Sequence, residues 1–296
     1  MLNKSKIISH SLGDQYTLID HQKRIRAKDS LNLSVNESLQ ILEQLTEFDL
    51  GRFLLQNKGL NGFWTSYIIL NGIKKSNLSP LEEWMIHKSP IVLATRERFY
   101  IFRRELQKIL KNNMVIASTP CGLMDDLLSL DFSQLSNIQL KGLDLDPESI
   151  KLATENIKNY NVSAEIEFLI RDAWNLGIKE EYDVIVSNGL NIYEPNIDKL
   201  KLLYSEFANA LKPGGILITS FLTPGPTMSE NSPWKDFILD DVIQQKVIFM
   251  EILEVAWQTY RTERETIAMF EDTGFDIQNI IYDRQAMFPT IILKKN

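Results

Sequence analysis

The chain has 296 residues, 44% hydrophobic and 24% charged, which is enough apolar material for one large domain or two modest ones. Its single cysteine excludes an internal disulfide framework, and no stretch approaches the roughly 20 uninterrupted apolar residues that cross a bilayer. A net charge of −7 argues against general nucleic-acid binding, which needs a basic surface to neutralise phosphates.

The opening stretch, MLNKSKIISHSLGDQY, has basic residues but no long apolar segment and no small-residue cleavage site. No secretion signal is expected there, and the cytoplasm is the expected compartment. Residues 1–111 then read as a helical N-terminal domain that caps or shapes a substrate pocket. NESLQILEQL (36–45) puts Leu39, Leu42 and Leu45 near one helical face. In SPIVLATRERFYIFRRELQKIL, Ser89 is the expected N-cap and Pro90 the first helical residue. Val92, Phe99, Phe102, Leu106 and Ile109 form its apolar stripe, with Arg96, Glu97, Arg103 and Arg104 largely off it.

After KNN (111–113) the pattern changes, and residues 112–296 read as a second domain with a helical insertion at about 224–261. Short apolar strands at 114–118, 138–145, 166–173, 182–188 and 215–222 alternate with helical stretches, which implies βαβ units and a mostly parallel sheet. A long helix running to about residue 260 follows the loop TPGPTMSENSPW. Thr262 and Glu265 form a capping box, and Gly274 is the expected helix stop. FDIQNIIYDR and FPTIILKK finish as an antiparallel pair, making seven strands. Ligands of such doubly wound folds sit at the carboxyl ends of the strands.

Three strand ends carry residues suited to ligand work. Asp144 ends the second strand about 22 residues after Gly122, the spacing at which a carboxylate grips both hydroxyls of a ribose. Asp172 ends the third and could accept from an exocyclic amine of adenine. Gly189 follows the fourth, where it allows close backbone approach. Asp146, directly ahead of Pro147, has the plainer role of an N-cap. Cys121 reads as a small buried residue and not as a nucleophile.

In order and spacing, GLDLDPESIKLATEN, RDAW, YDVIVSN, ALKPGGILITSF and DTGFD resemble the class I (Rossmann-like) S-adenosylmethionine-dependent methyltransferases, over roughly the last 185 residues. The resemblance implies S-adenosylmethionine as cofactor and S-adenosylhomocysteine as product. It implies a cofactor site of Ser118, Pro120, Cys121, Gly122, Asp144, Leu145, Asp172, Ala173, Ser187, Asn188 and Gly189. The chain departs from the family in two ways: Ser118 stands where an acid usually fixes the methionine amino group, and Pro120 and Met124 stand where glycines are common.

The resemblance also implies methyl transfer to a small-molecule acceptor, at oxygen or nitrogen. Asn191 and Tyr193, in SNGLNIYEPN, are the catalytic or acceptor-side candidates, since Asn188 matches only the first residue of the Asn-Pro-Pro-Tyr motif of amino-group methylases. Trp64, Tyr67, Arg96, Trp257, Tyr260 and Arg261 are substrate-side candidates, with core packing (or, for Arg96, an ion pair with Glu97) as the plainer alternative. No metal is expected, because His10, His21 and His87 follow no zinc spacing. The competing readings are a methyltransferase-like binding protein without turnover, a nicotinamide-dependent oxidoreductase, and a protein or RNA methylase.

Overall fold

The structure, a computed structural model, describes residues 17–257 and 259–296. The opening segment read for a secretion signal, His10 included, lies outside the described residues. Two compact units are present. One runs up to Arg96 and takes in a later segment that begins at Asp236; the other comprises Glu97–Lys235 and Thr259–Asn296.

Among the described residues the first unit is helical. It contains α1 (Leu18–Ala27), α2 (Val35–Leu45), α3 (Asp49–Asn57), α4 (Gly62–Ser66), α5 (Pro80–His87) and the start of α6 (Pro90–Ile109). Capping boxes open α1 (Thr17 with Asp20) and α2 (Ser34 with Glu37), each satisfying helix-end N–H groups that would otherwise lack partners. Leu42 and Leu45 are buried and Leu39 is half-buried, as the spacing predicts. Pro90 opens α6, but the Ser89 hydroxyl faces Gln245 instead of capping the helix.

The second unit holds a sheet. Its strands and helices are β1 (Val115–Ser118), α7 (Asp125–Leu128), β2 (Gln139–Asp144), α8 (Pro147–Asn156), β3 (Glu165–Ile170), β4 (Tyr182–Ser187), α9 (Ile197–Ala210) and β5 (Leu211–Ser220). After α10 (Leu239–Gln245), which belongs to the first unit, come α11 (Glu263–Phe270), β6 (Phe275–Ile281) and β7 (Thr290–Lys295). The strand order is β3-β2-β1-β4-β5-β7-β6, with β1 to β5 parallel and β7 antiparallel to both neighbours. This is the expected Rossmann-like sheet with its C-terminal antiparallel hairpin. Alternation along the strands sends Ala117, Ile185 and Leu217 into one apolar cluster with Leu203 and Phe207. Their neighbours Ile116, Val184 and Ile218 enter a second cluster with Phe102 and Leu106 of α6.

That second cluster explains why the division expected at 111/112 moves to Arg96/Glu97: the C-terminal half of α6 belongs to the core of the sheet unit. The segment expected as an insertion in the second domain packs in the helical unit. There the Asp241 carboxylate accepts from the Trp84 indole at 2.7 Å, and Gln245 accepts from the Ile91 N–H at 2.6 Å. Its helix passes from α10 into a π-helical stretch and ends at Ile252, short of residue 260. α11 likewise stops at Phe270, and Gly274, at φ +80°, opens β6 instead of closing the helix. LKPGG is not a turn ahead of β5 but a bulged entry to it. Leu211 pairs with Tyr182, and pairing resumes at Ile216 with Val184. Asp172 lies two residues beyond the end of β3.

Candidate active site

The loop after β1 is tied to both neighbouring strands. Thr119 N–H donates to Val186 of β4 at 2.9 Å, and Cys121 N–H donates to Leu143 of β2 at 2.8 Å. Gly122 N–H donates to the Asp144 carboxylate at 3.0 Å. The Thr119–Pro120 bond is cis. Gly122 and Met124 both have left-handed backbone, at φ +51° and +58°. Met124 therefore holds the conformation that glycine usually provides; its buried side chain offsets a cost of about 1–2 kcal/mol.

Asp144 ends β2 with its side chain only 2% exposed, and its second oxygen accepts from Asp146 N–H at 3.1 Å. Leu145 beside it is 55% exposed, an apolar surface at the strand exit. Asp146 caps α8, accepting from Glu148 N–H at 3.0 Å. Asp172 is exposed and holds a small turn by accepting from Trp174 N–H at 2.9 Å, with Ala173 buried between them.

Behind Ser118 stands an acid that the sequence reading missed. The Ser118 hydroxyl donates to Asp126 at 3.2 Å, so a carboxylate occupies the layer behind the position where the family places one on the strand itself. Burial, with a contribution from Asp125, raises the Asp126 pKa to about 6. The Asp125-Asp126 pair at the start of α7 was the available signal. Cys121 is buried and its thiol is pushed well up, chiefly by burial and then by Asp144 and Asp126, which fits a packing role.

At the exit of β4, Ser187 is buried and the Asn188 Oδ1, shut away from solvent, accepts no hydrogen bond. Gly189 takes φ +84°. The Asn191 side chain is buried and committed to the fold, donating to the Tyr204 hydroxyl at 3.0 Å and to the Ser220 carbonyl at 2.7 Å. Tyr193, 40% exposed, is the more accessible of the two candidates. Tyr260 and Arg261 follow closely on a tie to this loop. Thr259 N–H donates to Ile192 at 3.2 Å, and the buried Arg261 donates to the Glu194 carbonyl at 2.8 Å. Burial lifts the Tyr260 hydroxyl to about 12.

The remaining candidates pack within the helical unit. Trp64 is buried, with Tyr67 edge-on at 5.3 Å and Phe53 at 5.8 Å. Tyr67 donates to Glu82 at 2.6 Å. Arg96 donates to the carbonyls of Ile68 and Ile86 at 2.8 and 2.9 Å, not to Glu97. Trp257 is buried near Phe249, with 6.1 Å between ring centres.

The residues at the strand exits fit an adenosyl-amino-acid ligand. A buried carboxylate and an apolar shelf lie together at the end of β2, an exposed acid follows β3, and the Asn188 oxygen at the β4 exit lacks a donor. An open depression at the α11–β6 connection, lined by Ile267, Phe270, Gly274, Phe275 and Ile277, lies at the opposite ends of the strands and gathers none of these groups. Among the described residues, no helix is long and apolar enough to cross a membrane.

Comparison with known proteins bears on the same strand exits. The family model described as "Methyltransferase domain" matches residues 125–215. Ribosomal protein L11 methyltransferase from Dictyoglomus thermophilum is 33% identical over 115 residues, 39% of this chain and 35% of the relative, so the chain spans about a third of that protein. A crystal structure described as a possible exported protein from Bordetella parapertussis is 40% identical with TM-score 0.89, covering 94% of each chain. Magnesium protoporphyrin IX methyltransferase from Synechocystis, solved with bound S-adenosylhomocysteine, has TM-score 0.53 at 13% identity, over 79% of this chain and 99% of its own; this is a likeness of fold.

Proposed function

We propose that the chain is a class I S-adenosylmethionine-dependent methyltransferase, with S-adenosylmethionine as cofactor, that transfers a methyl group to a small-molecule acceptor. The methyltransferase-domain match over residues 125–215 supports this reading. The observation that carries the reading is the 3.0 Å hydrogen bond from Gly122 N–H to Asp144, which joins the second-strand acid to the turn after β1. In this reading Asp144 accepts from the ribose hydroxyls, since a carboxylate has lone pairs to spare beyond its two backbone donors. Leu145 and Asp172 frame the adenine, Leu145 by apolar contact and Asp172 as an acceptor. Ser118, backed by Asp126, and the Asn188 oxygen take the ammonium end.

When bound, the cofactor supplies a methyl already activated by its sulfonium charge, so the side chains contribute mainly position and exclusion of water. Tyr193, exposed at the β4 exit, is placed on the acceptor side. The protein-methylating name of the L11 relatives suggests a protein acceptor as a second reading, but the likeness covers only 35% of their length. The single cysteine supports a cytoplasmic setting, which cell fractionation would test.

Titration calorimetry with S-adenosylhomocysteine tests the central claim. The wild-type chain should bind, and Asp144→Ala should weaken binding about tenfold to a hundredfold, as expected for losing hydrogen bonds to a charged acceptor. Absence of binding by the wild type would sink the proposal, and equal affinity in the variant would remove Asp144 from the ribose.

A further inference from the structure

Arg98 lies on the part of α6 that belongs to the sheet unit, and its side chain is 5% exposed. A buried guanidinium is costly unless a carboxylate faces it, and the usual outcome in folded proteins is an ion pair. Among the described residues Arg98 has none. One N–H meets the Ser220 hydroxyl at 3.4 Å, a long contact, and Nε has no partner. The cation rests 4.2 Å from the centre of the Phe288 ring. Asp283 and Tyr193 contribute favourable charge, but the Asp283 oxygens already accept the N–H groups of Gln285, Met287 and Phe288. Burial lowers the guanidinium pKa only to about 10, so it stays charged at neutral pH.

Gly189 shows where the cation faces. A Cβ at that position would stand 3.5 Å from one terminal nitrogen, so the guanidinium lies against the bare backbone at the β4 exit. The neighbouring Asn188 has a buried oxygen that is also without a partner. The partners of Arg98 come from the ends of β4 and β5 and the approach to β7, whereas Gly122 and Asp144 belong to β1 and β2 on the other side of the sheet's reversal point.

We infer that Arg98 is a carboxylate-binding residue of these strand exits, its planar fork taking both oxygens of one carboxylate. The inference rests on the methyltransferase reading and deepens it by naming the group bound at the β4 exit. Two carboxylates share this chemistry, that of the acceptor and that of the methionine part of the cofactor. Gly189 adjoins Asn188, which the proposed function gives to the cofactor's ammonium group, so both carboxylates come within reach of Arg98 and the probes below name the source. An acceptor carboxylate would make the substrate a small carboxylic acid.

The test compares wild type, Arg98→Met and Arg98→Lys, each with three probes. S-Adenosylhomocysteine and 5′-methylthioadenosine, which lacks the amino-acid carboxylate, are titrated by calorimetry. Benzoate is titrated by calorimetry into all three proteins, free and in the S-adenosylhomocysteine complex, and in wild type the Arg98 Nε–H signal is followed by NMR as well. If the acceptor carboxylate is the partner, benzoate moves the signal, binding falls about tenfold or more in both variants, and both nucleosides bind all three proteins alike. If the cofactor carboxylate is the partner, wild type prefers S-adenosylhomocysteine to 5′-methylthioadenosine and Arg98→Met erases the preference. Either pattern supports the inference and names the source. Overturning it takes indifference of all three probes to residue 98, or a large fall in the thermal midpoint of Arg98→Met, which would mark a structural cation. The inference expects that midpoint to hold or rise, because an unpaired buried charge is removed. Failure of wild type to bind S-adenosylhomocysteine refutes the methyltransferase reading instead, and the benzoate arm in free protein still decides Arg98.

Discussion

At the residue scale, the acids of the site are distinguished by their surroundings more than by their chemistry. Asp144 was legible because it ends a strand at a telling distance from a glycine; Asp126 and Arg98 were not. Both follow or precede ordinary helical text, and only the fold brings Asp126 behind Ser118 and Arg98 onto Gly189. Arg96, two residues earlier, looked equally suitable, but α6 turns it toward the carbonyls of its own unit. Asp126 yields a pH prediction. Its folded pKa is raised from 3.8 to about 6, so the fold favours the neutral acid. The associated stability is fully present below about pH 4 and is lost as pH rises through about 6. Asp126→Asn imitates the neutral acid and can keep the bonds to Ser118 and Leu127. It should therefore exceed wild type in stability by up to about 3 kcal/mol near pH 8, with the gap closing near pH 4. Urea denaturation across this range measures it. A gap independent of pH would mean that Asp126 does not titrate in this way.

At the element scale, short apolar runs and helix caps made the strands and helix starts readable, because both are local signals. Helix ends were less so. α11 stops at Phe270 and the α10 helix at Ile252, where packing and π-helical winding, not a glycine, set the limit. The bulged entry to β5 was hidden for the same reason, since LKPGG spells a turn while Leu211 is already paired with Tyr182. One glycine whose role the sequence did not disclose is Gly142, in the middle of β2. A Cβ there would lie 2.4 Å from the Phe168 ring on β3 and 3.1 Å from the Met124 sulfur. The glycine thus lets Phe168 and the turn residue Met124 share one space beneath the site. Gly142→Ala must displace the ring, and should destabilise the fold by about 1–3 kcal/mol. It should also weaken S-adenosylhomocysteine binding, because the turn carrying Gly122 rests on the same contacts. A thermal midpoint equal to wild type would show that the ring yields without cost.

At the scale of the whole molecule, the site follows from sheet order. From β1 the chain crosses to β2 and β3 on one side, then returns to β4 and β5 on the other, so the connections diverge between β1 and β4. Divergence of this kind marks the carboxyl ends of the two central strands as the place where open α/β sheets bind ligands. The turn after β1, the Asp144 end of β2 and the Asn188-Gly189 exit of β4 all belong to it. The depression at the α11–β6 connection offers a rival location at the opposite strand ends. Hydrogen exchange separates the two, since a bound ligand slows exchange where it closes off local opening. With saturating S-adenosylhomocysteine, amides in 119–124, 144–146 and 188–191 should gain protection, while those in 271–277 exchange at the rate of the free protein. Protection confined to 271–277 would move the ligand to the far end of the sheet, and with it every role assigned to Asp144, Asp172 and Arg98.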